Sequence, residues 1–221
     1  MLPILKEHFD KQWIKEVHGI YQSTVIKNIK DFRNITFFRS PGTFMDWYKQ
    51  CGVEDEDNYL EHLLYVPNMT IIHHAITSNL LTTNPIVLDW GAGAGLLSVF
   101  FAKLGIKCVN YDNLSQLGDT GPQHVMNFLD KINRTFGYDI KYETDYKLVI
   151  ESLSKFNTLT ASGIGVNIIN ADFPDTINYM MFDARSNIFS NGNGSKIMKH
   201  FRLCGSQSMI KVWKRKGVED E

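Results

Sequence analysis

Apolar residues recur with helical spacing in the first third of the chain. The stripe between residues 4 and 32 consists of Trp13, Val17, Ile20, Tyr21 and Thr24, at intervals of three and four. Positions with that spacing share one face of a helix. A further helix is predicted from about 68 to 81, and Pro85 ends it because the residue before a proline is pushed out of the helical region. We therefore expect residues 1–84 to form a mainly helical segment that serves as a cap or as a substrate or partner region.

From residue 86 onwards, short apolar strands alternate with helical stretches. The run 86–88 contains two β-branched residues between Pro85 and a glycine-rich stretch, which suits a buried parallel strand. A helix over 96–104 and a strand over 107–111 complete a strand–helix–strand unit of the parallel type. Further strands are predicted at 166–170, 178–182 and 208–213, and further helices at 123–136, 145–156 and 196–203. The pattern predicts a three-layer α/β domain over residues 85–221.

The bulk composition fits an ordinary globular protein. The chain has 221 residues, of which 43% are hydrophobic and 21% are charged, and its formal net charge is −1. That balance supports a hydrophobic core and gives no whole-chain charge for binding nucleic acid or an anionic membrane. We therefore expect neither partner. A basic cluster near the C-terminus, which we interpret as a solvated tail, consists of Lys211, Lys214, Arg215 and Lys216.

The cysteines and the N-terminus exclude several further classes. The three cysteines, Cys51, Cys108 and Cys204, are far apart and show no CxxC spacing, so we expect neither a disulfide framework nor a metal site. The N-terminus meets polar residues too soon for a signal peptide. No run approaches the roughly 20 apolar residues that cross a bilayer. These observations predict a cytoplasmic protein.

A glycine-rich loop follows the first predicted strand. It runs from Asp89 to Gly95, with glycine at positions 91, 93 and 95. Glycine accepts a positive φ and lets a ligand approach the backbone closely. The helix that starts near Leu96 directs free amide groups towards such a ligand. The loop therefore predicts a site for a nucleotide-type cofactor.

Two details bear on which cofactor the loop takes. The dinucleotide fingerprint requires a third glycine three residues after its second one. Counted from Gly93 that position is Leu96, and counted from Gly95 it is Ser98. The Asp89 carboxylate would repel a pyrophosphate and attract a cationic amino group. Both details argue against a nicotinamide-dependent oxidoreductase, which stays an alternative.

The segment 87–95 resembles the first motif of class I S-adenosylmethionine-dependent methyltransferases. The resemblance implies that the loop wraps the methionine and ribose parts of the cofactor, and that Asp112 binds both ribose hydroxyls with Asn113 beside it. A carboxylate suits this role because it accepts two hydrogen bonds at once. The segment 170–173 is similar to the family's third-strand segment, which implies that Asp172 contacts the adenine amino group and Phe173 lines the ring. The cofactor-binding set is then Asp89, Trp90, Gly91, Ala92, Gly93, Gly95, Asp112, Asn113, Asp172 and Phe173.

Two residues are candidates for catalysis. The segment 180–183 resembles the family's fourth strand, whose terminal acid, here Asp183, faces the methyl-transfer site in many members. The sequence that follows, up to Ser186, is not the Asn/Asp-Pro-Pro-Tyr type, which disfavours methylation of a base's exocyclic amino group. His74 is a candidate general base because its ordinary pKa is near neutral. The other reading of His74 is an ordinary helix histidine.

The end of the chain bears on the completeness of the sheet. The family's usual seven-stranded sheet adds an antiparallel hairpin after the fifth strand, but only about eight residues follow Trp213. We therefore expect the last two strands to be missing, with the sheet edge covered by the N-terminal segment or by a second copy in a homo-oligomer. The resemblance implies methyl transfer to an oxygen or nitrogen of a small-molecule acceptor. A non-catalytic methyltransferase-like subunit that binds a cofactor or a partner is the alternative.

Overall fold

A seven-stranded sheet forms the centre of the computed structural model, which describes residues 2–28, 66–78, 80–161, 175–183, 199–207 and 210–218. The strands are β1 (Ile86–Trp90), β2 (Lys107–Tyr111), β3 (Lys141–Glu143), β4 (Thr158–Ala161), β5 (Tyr179–Asp183), β6 (Phe201–Gln207) and β7 (Ile210–Arg215). Their order is β3-β2-β1-β4-β5-β7-β6. The first five are parallel, whereas β7 is antiparallel to both β5 and β6. The α/β architecture expected from the resemblance is confirmed.

The expectation that the last two strands are missing is wrong. The predicted fifth strand is β7, and the other strand of the antiparallel hairpin, β6, precedes it. Of the helix predicted over 196–203, residues 199 and 200 are helical, whereas 201–203 belong to β6. The register shifts between Leu203 and Gly205. Gly205, which reads as a helix stop in the sequence, thus lies inside a strand beside a bulge, a common place for glycine. β7 covers the free side of β5, which removes the reason for expecting a second copy there.

Two short strands escaped the sequence pattern. All four residues of β4 are buried, so the strand shows no alternation, and β3 has only three residues. As a result, the strand predicted over 178–182 is the fifth of the sheet and not the fourth. The strand predicted over 166–170 lies outside the described residues.

The helices include α1 (Leu2–His8), α2 (Lys11–Tyr21), α3 (Val66–Thr77), α4 (Leu96–Lys103), α5 (Gly121–Phe136) and α6 (Tyr146–Glu151). A π-helical turn, Gln22–Ile26, extends α2, and short 3-10 turns cover Leu80–Thr83, Ser115–Leu117 and Leu153–Lys155. Two hydrophobic clusters cover the two faces of the sheet. Val87 of β1 belongs to the cluster with α1, α2, α4 and α5, and Leu88 belongs to the cluster with α6. None of the helices in the described ranges combines the length and the apolar character needed to cross a membrane.

The N-terminal helices share a core with the sheet domain. Asp10 caps α2 by accepting a hydrogen bond from the Trp13 amide at 2.8 Å. The Phe100 ring on α4 lies 4.9 Å from Phe9 and 5.0 Å from Trp13, measured between ring centroids. The predicted apolar stripe is confirmed, since Trp13, Val17, Ile20 and Tyr21 are buried. Residues 2–28 therefore pack as part of the same hydrophobic cluster as β1.

The basic cluster at 211–216 is not the solvated tail that the sequence suggested. Lys214 is only 2% exposed, and its Nζ lies 5.6 Å from the centre of the Tyr179 ring. Arg215 donates to the Ile177 carbonyl oxygen at 2.7 Å and to the Asp175 carboxylate at 3.1 Å. These contacts arise because the segment is a strand between two others, where even charged side chains are partly enclosed.

Candidate functional site

The glycine loop connects β1 to α4 and is anchored on the end of β2. Gly91, Gly93 and Gly95 have φ values of 70°, 56° and 75°, a left-handed conformation that favours glycine. The amides of Gly91 and Ala92 both donate to the Tyr111 carbonyl oxygen, at 2.6 and 3.0 Å. The backbone conformation therefore favours glycine at these three positions, as the sequence predicts.

Asp112 follows β2 and joins the loop to the next turn. One carboxylate oxygen, Oδ2, accepts from the Gly93 amide at 3.0 Å, and Oδ1 accepts from the Leu114 amide at 2.8 Å. The side chain is half-buried. An ionised carboxylate offers about four lone-pair sites, so two remain for hydroxyl groups of a ligand. The neighbouring Asn113 is exposed, and its side-chain oxygen accepts from the amide and hydroxyl of Ser115.

Asp89 is buried at the base of the loop. It is 3% exposed, and its Oδ1 accepts from the Thr160 hydroxyl on β4 at 2.8 Å. Burial raises the pKa of Asp89 to about 7, the Thr160 hydrogen bond opposes that rise, and the nearby Asp112 adds to it. The carboxyl group is thus held where its charge depends on pH near neutrality.

The raised pKa of Asp89 makes the free energy of unfolding depend on pH. Its folded-state pKa lies above the ordinary 3.8, so the folded protein favours the protonated acid. The stabilisation is complete below pH 4 and is lost as the pH rises towards 7, with a slope of at most about 1.4 kcal/mol per pH unit. We expect Asp89→Asn to remove this slope in urea unfolding measured between pH 4.5 and 7.5. Equal slopes for the two proteins would contradict the assignment.

A second network fixes the other end of the loop. The Ser98 hydroxyl donates to the Gly95 carbonyl oxygen at 2.7 Å, and the Asn110 side-chain amide donates to Ser98 Oγ at 2.8 Å. The same amide donates to the Lys141 carbonyl oxygen at 3.2 Å. Asn110 is fully buried. The sequence reasoning missed Ser98 and Asn110, although a polar residue inside the strand Lys107–Tyr111 is a signal that could have found the latter.

Trp90 faces away from Asp89, on the other side of the sheet. Its ring lies 4.6 Å from the Tyr111 ring and 5.9 Å from that of Tyr146. Tyr146 is 53% exposed, whereas Trp90 and Tyr111 are buried. Burial, followed by the charge of Asp112, raises the pKa of Tyr111. Trp90 thus serves the core with its side chain and borders the loop only through its backbone.

The structure changes which residues follow the third strand. β3 ends at Glu143, and the first acid after it is Asp145, which caps α6 by accepting from the Lys147 amide at 2.8 Å. Tyr146 comes next in the chain. Asp172 and Phe173, which the sequence placed after a third strand, lie outside the described residues.

The two candidate catalytic residues do not lie on the glycine loop: Asp183 is on a strand and His74 is on a helix. Asp183 ends β5, two strands from β1, where it pairs with Ile210. The His74 ring on α3 lies over β6, with Cε1 3.4 Å from the point where a Cβ would sit on Gly205. Burial, and then the neighbouring His73, lower the pKa of His74, which favours its neutral form.

Strand register separates His74 from the glycine loop. Asp89 pairs with Thr160, and the same row continues through Met181 and Val212 to Gly205. Four strand spacings of about 4.8 Å make roughly 19 Å. The structure therefore brings Asp89, Asp112 and the three glycines together, and it places His74 elsewhere on the same face. Within the described ranges, no three His, Cys, Asp or Glu side chains are grouped so that they could hold a metal ion.

Comparison with known proteins gives matches of structure only. No protein-family model matches the sequence, and no curated protein is significantly similar to it. The chain is similar in structure to the ribosomal protein L11 methylase of Lactobacillus delbrueckii subsp. bulgaricus, at 16% identity and a TM-score of 0.47, over 68% of this chain and 77% of the methylase. It is also similar to the magnesium protoporphyrin IX methyltransferase of Synechocystis PCC 6803, solved with bound S-adenosylmethionine, at 15% identity and a TM-score of 0.47, over 85% of this chain and 95% of that enzyme.

A larger protein is matched over part of its length. The bifunctional kinase-methyltransferase WbdD matches 67% of this chain at 14% identity and a TM-score of 0.46. The match spans 38% of WbdD. At these identities and TM-scores, the case for a function rests on the residues of the site.

Proposed function

We propose that this chain binds S-adenosylmethionine and transfers its methyl group to an acceptor. Its sheet has the strand order of class I S-adenosylmethionine-dependent methyltransferases. The observation that carries the proposal is the carboxylate of Asp112. It is held against the glycine loop by the Gly93 amide at 3.0 Å and keeps lone pairs for further donors. A vicinal diol, such as the two ribose hydroxyls, matches two oxygens of one carboxylate.

The opposite end of the loop suits the amino acid part of the cofactor. Asp89 lies beneath the loop, and its carboxylate attracts a cationic ammonium group in this enclosed setting. A pyrophosphate in the same place would meet the charge of Asp112 and, above about pH 7, that of Asp89 as well. This electrostatic arrangement favours S-adenosylmethionine over a nicotinamide dinucleotide, the alternative that the glycine spacing left open.

The adenine end of the cofactor falls to residues that follow β3. The resemblance assigned these contacts to Asp172 and Phe173, but the third strand ends at Glu143. We therefore assign the adenine contacts to Asp145 and Tyr146. Asp145 uses Oδ1 to cap α6, which leaves Oδ2 for an amino group, and Tyr146 exposes its ring.

The acceptor in this proposal is an oxygen or nitrogen of a small molecule. The cofactor supplies an electrophilic methyl group, and the protein contributes by holding the two reactants in line. Asp183 ends a strand at the carboxyl edge of the sheet, where substrates enter in this fold class, and would take the acceptor's proton. His74 is not assigned this role, because it lies over β6, roughly 19 Å along the sheet from the glycine loop.

Titration calorimetry on the full chain tests the proposal. We expect binding of S-adenosylmethionine and S-adenosylhomocysteine in the micromolar range and no measurable binding of NAD. No heat with either sulfur compound at high micromolar concentration would reject the proposal. Binding without release of labelled S-adenosylhomocysteine across a broad panel of alcohols, amines and acids would favour a non-catalytic subunit, although the complete hairpin removes the structural reason for that alternative.

A further inference from the structure

Tyr142 of β3 reaches past the end of β2 to the glycine loop. Its hydroxyl donates to the Gly93 carbonyl oxygen at 2.5 Å, although the two residues are 49 positions apart in sequence. The ring is half-buried. Burial, and then the charges of Asp112 and Asp89, raise the pKa of Tyr142, so the phenol keeps its proton throughout the neutral range. The Tyr142 hydroxyl therefore remains a hydrogen-bond donor to the loop over that pH range.

Gly93 is held from both sides by side chains. Its amide donates to Asp112 Oδ2 at 3.0 Å, and its carbonyl oxygen accepts from Tyr142. Its φ is 56°. Glycine has no Cβ and adopts positive and negative φ about equally readily, so sterics alone do not hold Gly93 in this conformation. Two side-chain hydrogen bonds therefore hold the backbone of Gly93 in a conformation that its own torsional preferences do not impose.

The orientation of Gly93 decides where Asp112 points. The carboxylate has two backbone anchors, the amides of Gly93 and Leu114, one for each oxygen. If Gly93 turned, Oδ2 would lose its anchor and the carboxylate could rotate about the other. A group that must meet two ribose hydroxyls at once is sensitive to such a rotation.

We propose that Tyr142 is a positioning residue for the cofactor site: its hydroxyl locks Gly93 so that Asp112 is held ready for the ribose diol. This role rests on the proposed function, because the ribose contact belongs to S-adenosylmethionine. A positioning role and a packing role of Tyr142 make different predictions. In a positioning role, removal of the hydroxyl alone weakens cofactor binding, although the ring stays in place. Tyr142→Phe removes only the hydroxyl, and Tyr179→Phe makes the same change on β5, four strands away from β3 in the sheet.

The first measurement is amide hydrogen exchange by NMR on the full ligand-free chain. We expect the Gly93 amide to exchange about threefold to tenfold faster in Tyr142→Phe than in wild type, the range that corresponds to one net hydrogen bond. The Leu88 amide in β1 reports general stability and should exchange at an unchanged rate. Tyr179→Phe should leave both amides unchanged. Equal exchange of Gly93 in wild type and Tyr142→Phe, or equal acceleration at Leu88, overturns the inference.

The second measurement is the affinity for S-adenosylhomocysteine in a double-mutant cycle. We expect Tyr142→Phe to raise the Kd about threefold to tenfold in the wild-type background, and less than twofold in an Asp112→Asn background, because Tyr142 acts through Asp112. A purely structural role would give the same factor in both backgrounds and would overturn the inference. Binding by wild type with no change in Tyr142→Phe overturns the inference alone, whereas no binding by wild type overturns the proposed function.

Discussion

Replacing Asp112 by alanine is expected to weaken the binding of S-adenosylhomocysteine at least about 100-fold. The carboxylate would accept two hydrogen bonds from the ribose, and a hydrogen bond to a charged group contributes about 1.5–3 kcal/mol. Two such bonds, at the lower end of that range, give about 3 kcal/mol, which is more than a factor of 100 in Kd. Removal of the side chain also frees the amides of Gly93 and Leu114, which adds disorder to the loop.

Calorimetry on three variants separates the ribose contact from general damage. Asp112→Asn keeps one acceptor oxygen without the charge, so its affinity should fall between those of wild type and Asp112→Ala. Asp119→Ala removes an exposed carboxylate a few residues further along the chain and should change the Kd less than twofold. Thermal unfolding identifies variants that fail to fold. A folded Asp112→Ala that binds within fivefold of wild type would contradict the assignment of Asp112 to the ribose.

The parts of the site that the sequence predicted are those whose chemistry is local. Gly91, Gly93 and Gly95 are needed because the turn itself requires a positive φ, and a turn lies within a few residues. Asp112 was predicted from the resemblance, which needed only an acid directly after the second strand, a feature that is also local in sequence. The first strand–helix–strand unit was predicted for the same reason, since its hydrophobic spacing is complete within the segment.

The parts that the sequence missed depend on strand pairing. Tyr142 contacts Gly93 only because β3 lies beside β2, and Thr160 contacts Asp89 only because β4 lies beside β1. Neither neighbour relation can be read from spacing. His74 was grouped with the site because it precedes the first strand in sequence, but the helix that carries it crosses to β6.

The hairpin was missed for a different physical reason. The segment from Lys196 to Leu203 has apolar residues at spacings that suit a helix, and short apolar segments are ambiguous between helix and strand. Residues 199 and 200 are helical, and from residue 201 onwards pairing with β7 decides the matter, since β6 forms an antiparallel ladder there that one bulge interrupts. Tertiary contacts thus override local preference at the edge of the sheet, while the glycine loop at its centre follows local rules.

Gly95→Ala is expected to be among the most destabilising substitutions in the loop, at about 2–5 kcal/mol. A residue with a Cβ at φ 75° costs about 1–2 kcal/mol. The new Cβ would also lie 3.2 Å from Asn110 Nδ2 and 3.3 Å from both methyl carbons of Leu129. Leu129 is buried, and Asn110 is tied to Ser98 and to β3, so neither moves aside easily and crowding adds about 1–3 kcal/mol.

Gly105 at the other end of α4 provides a matched control. Its φ is 77°, but a Cβ there meets nothing within 4 Å, so Gly105→Ala carries the backbone cost without the crowding. Urea unfolding should therefore place Gly95→Ala below Gly105→Ala by about 1–3 kcal/mol. Equal losses would mean that backbone strain alone decides and that the packing of Asn110 and Leu129 against the loop is loose. A larger loss at Gly95 would instead show that Asn110 and Leu129, which pack against the glycine loop, leave no room for a Cβ at position 95.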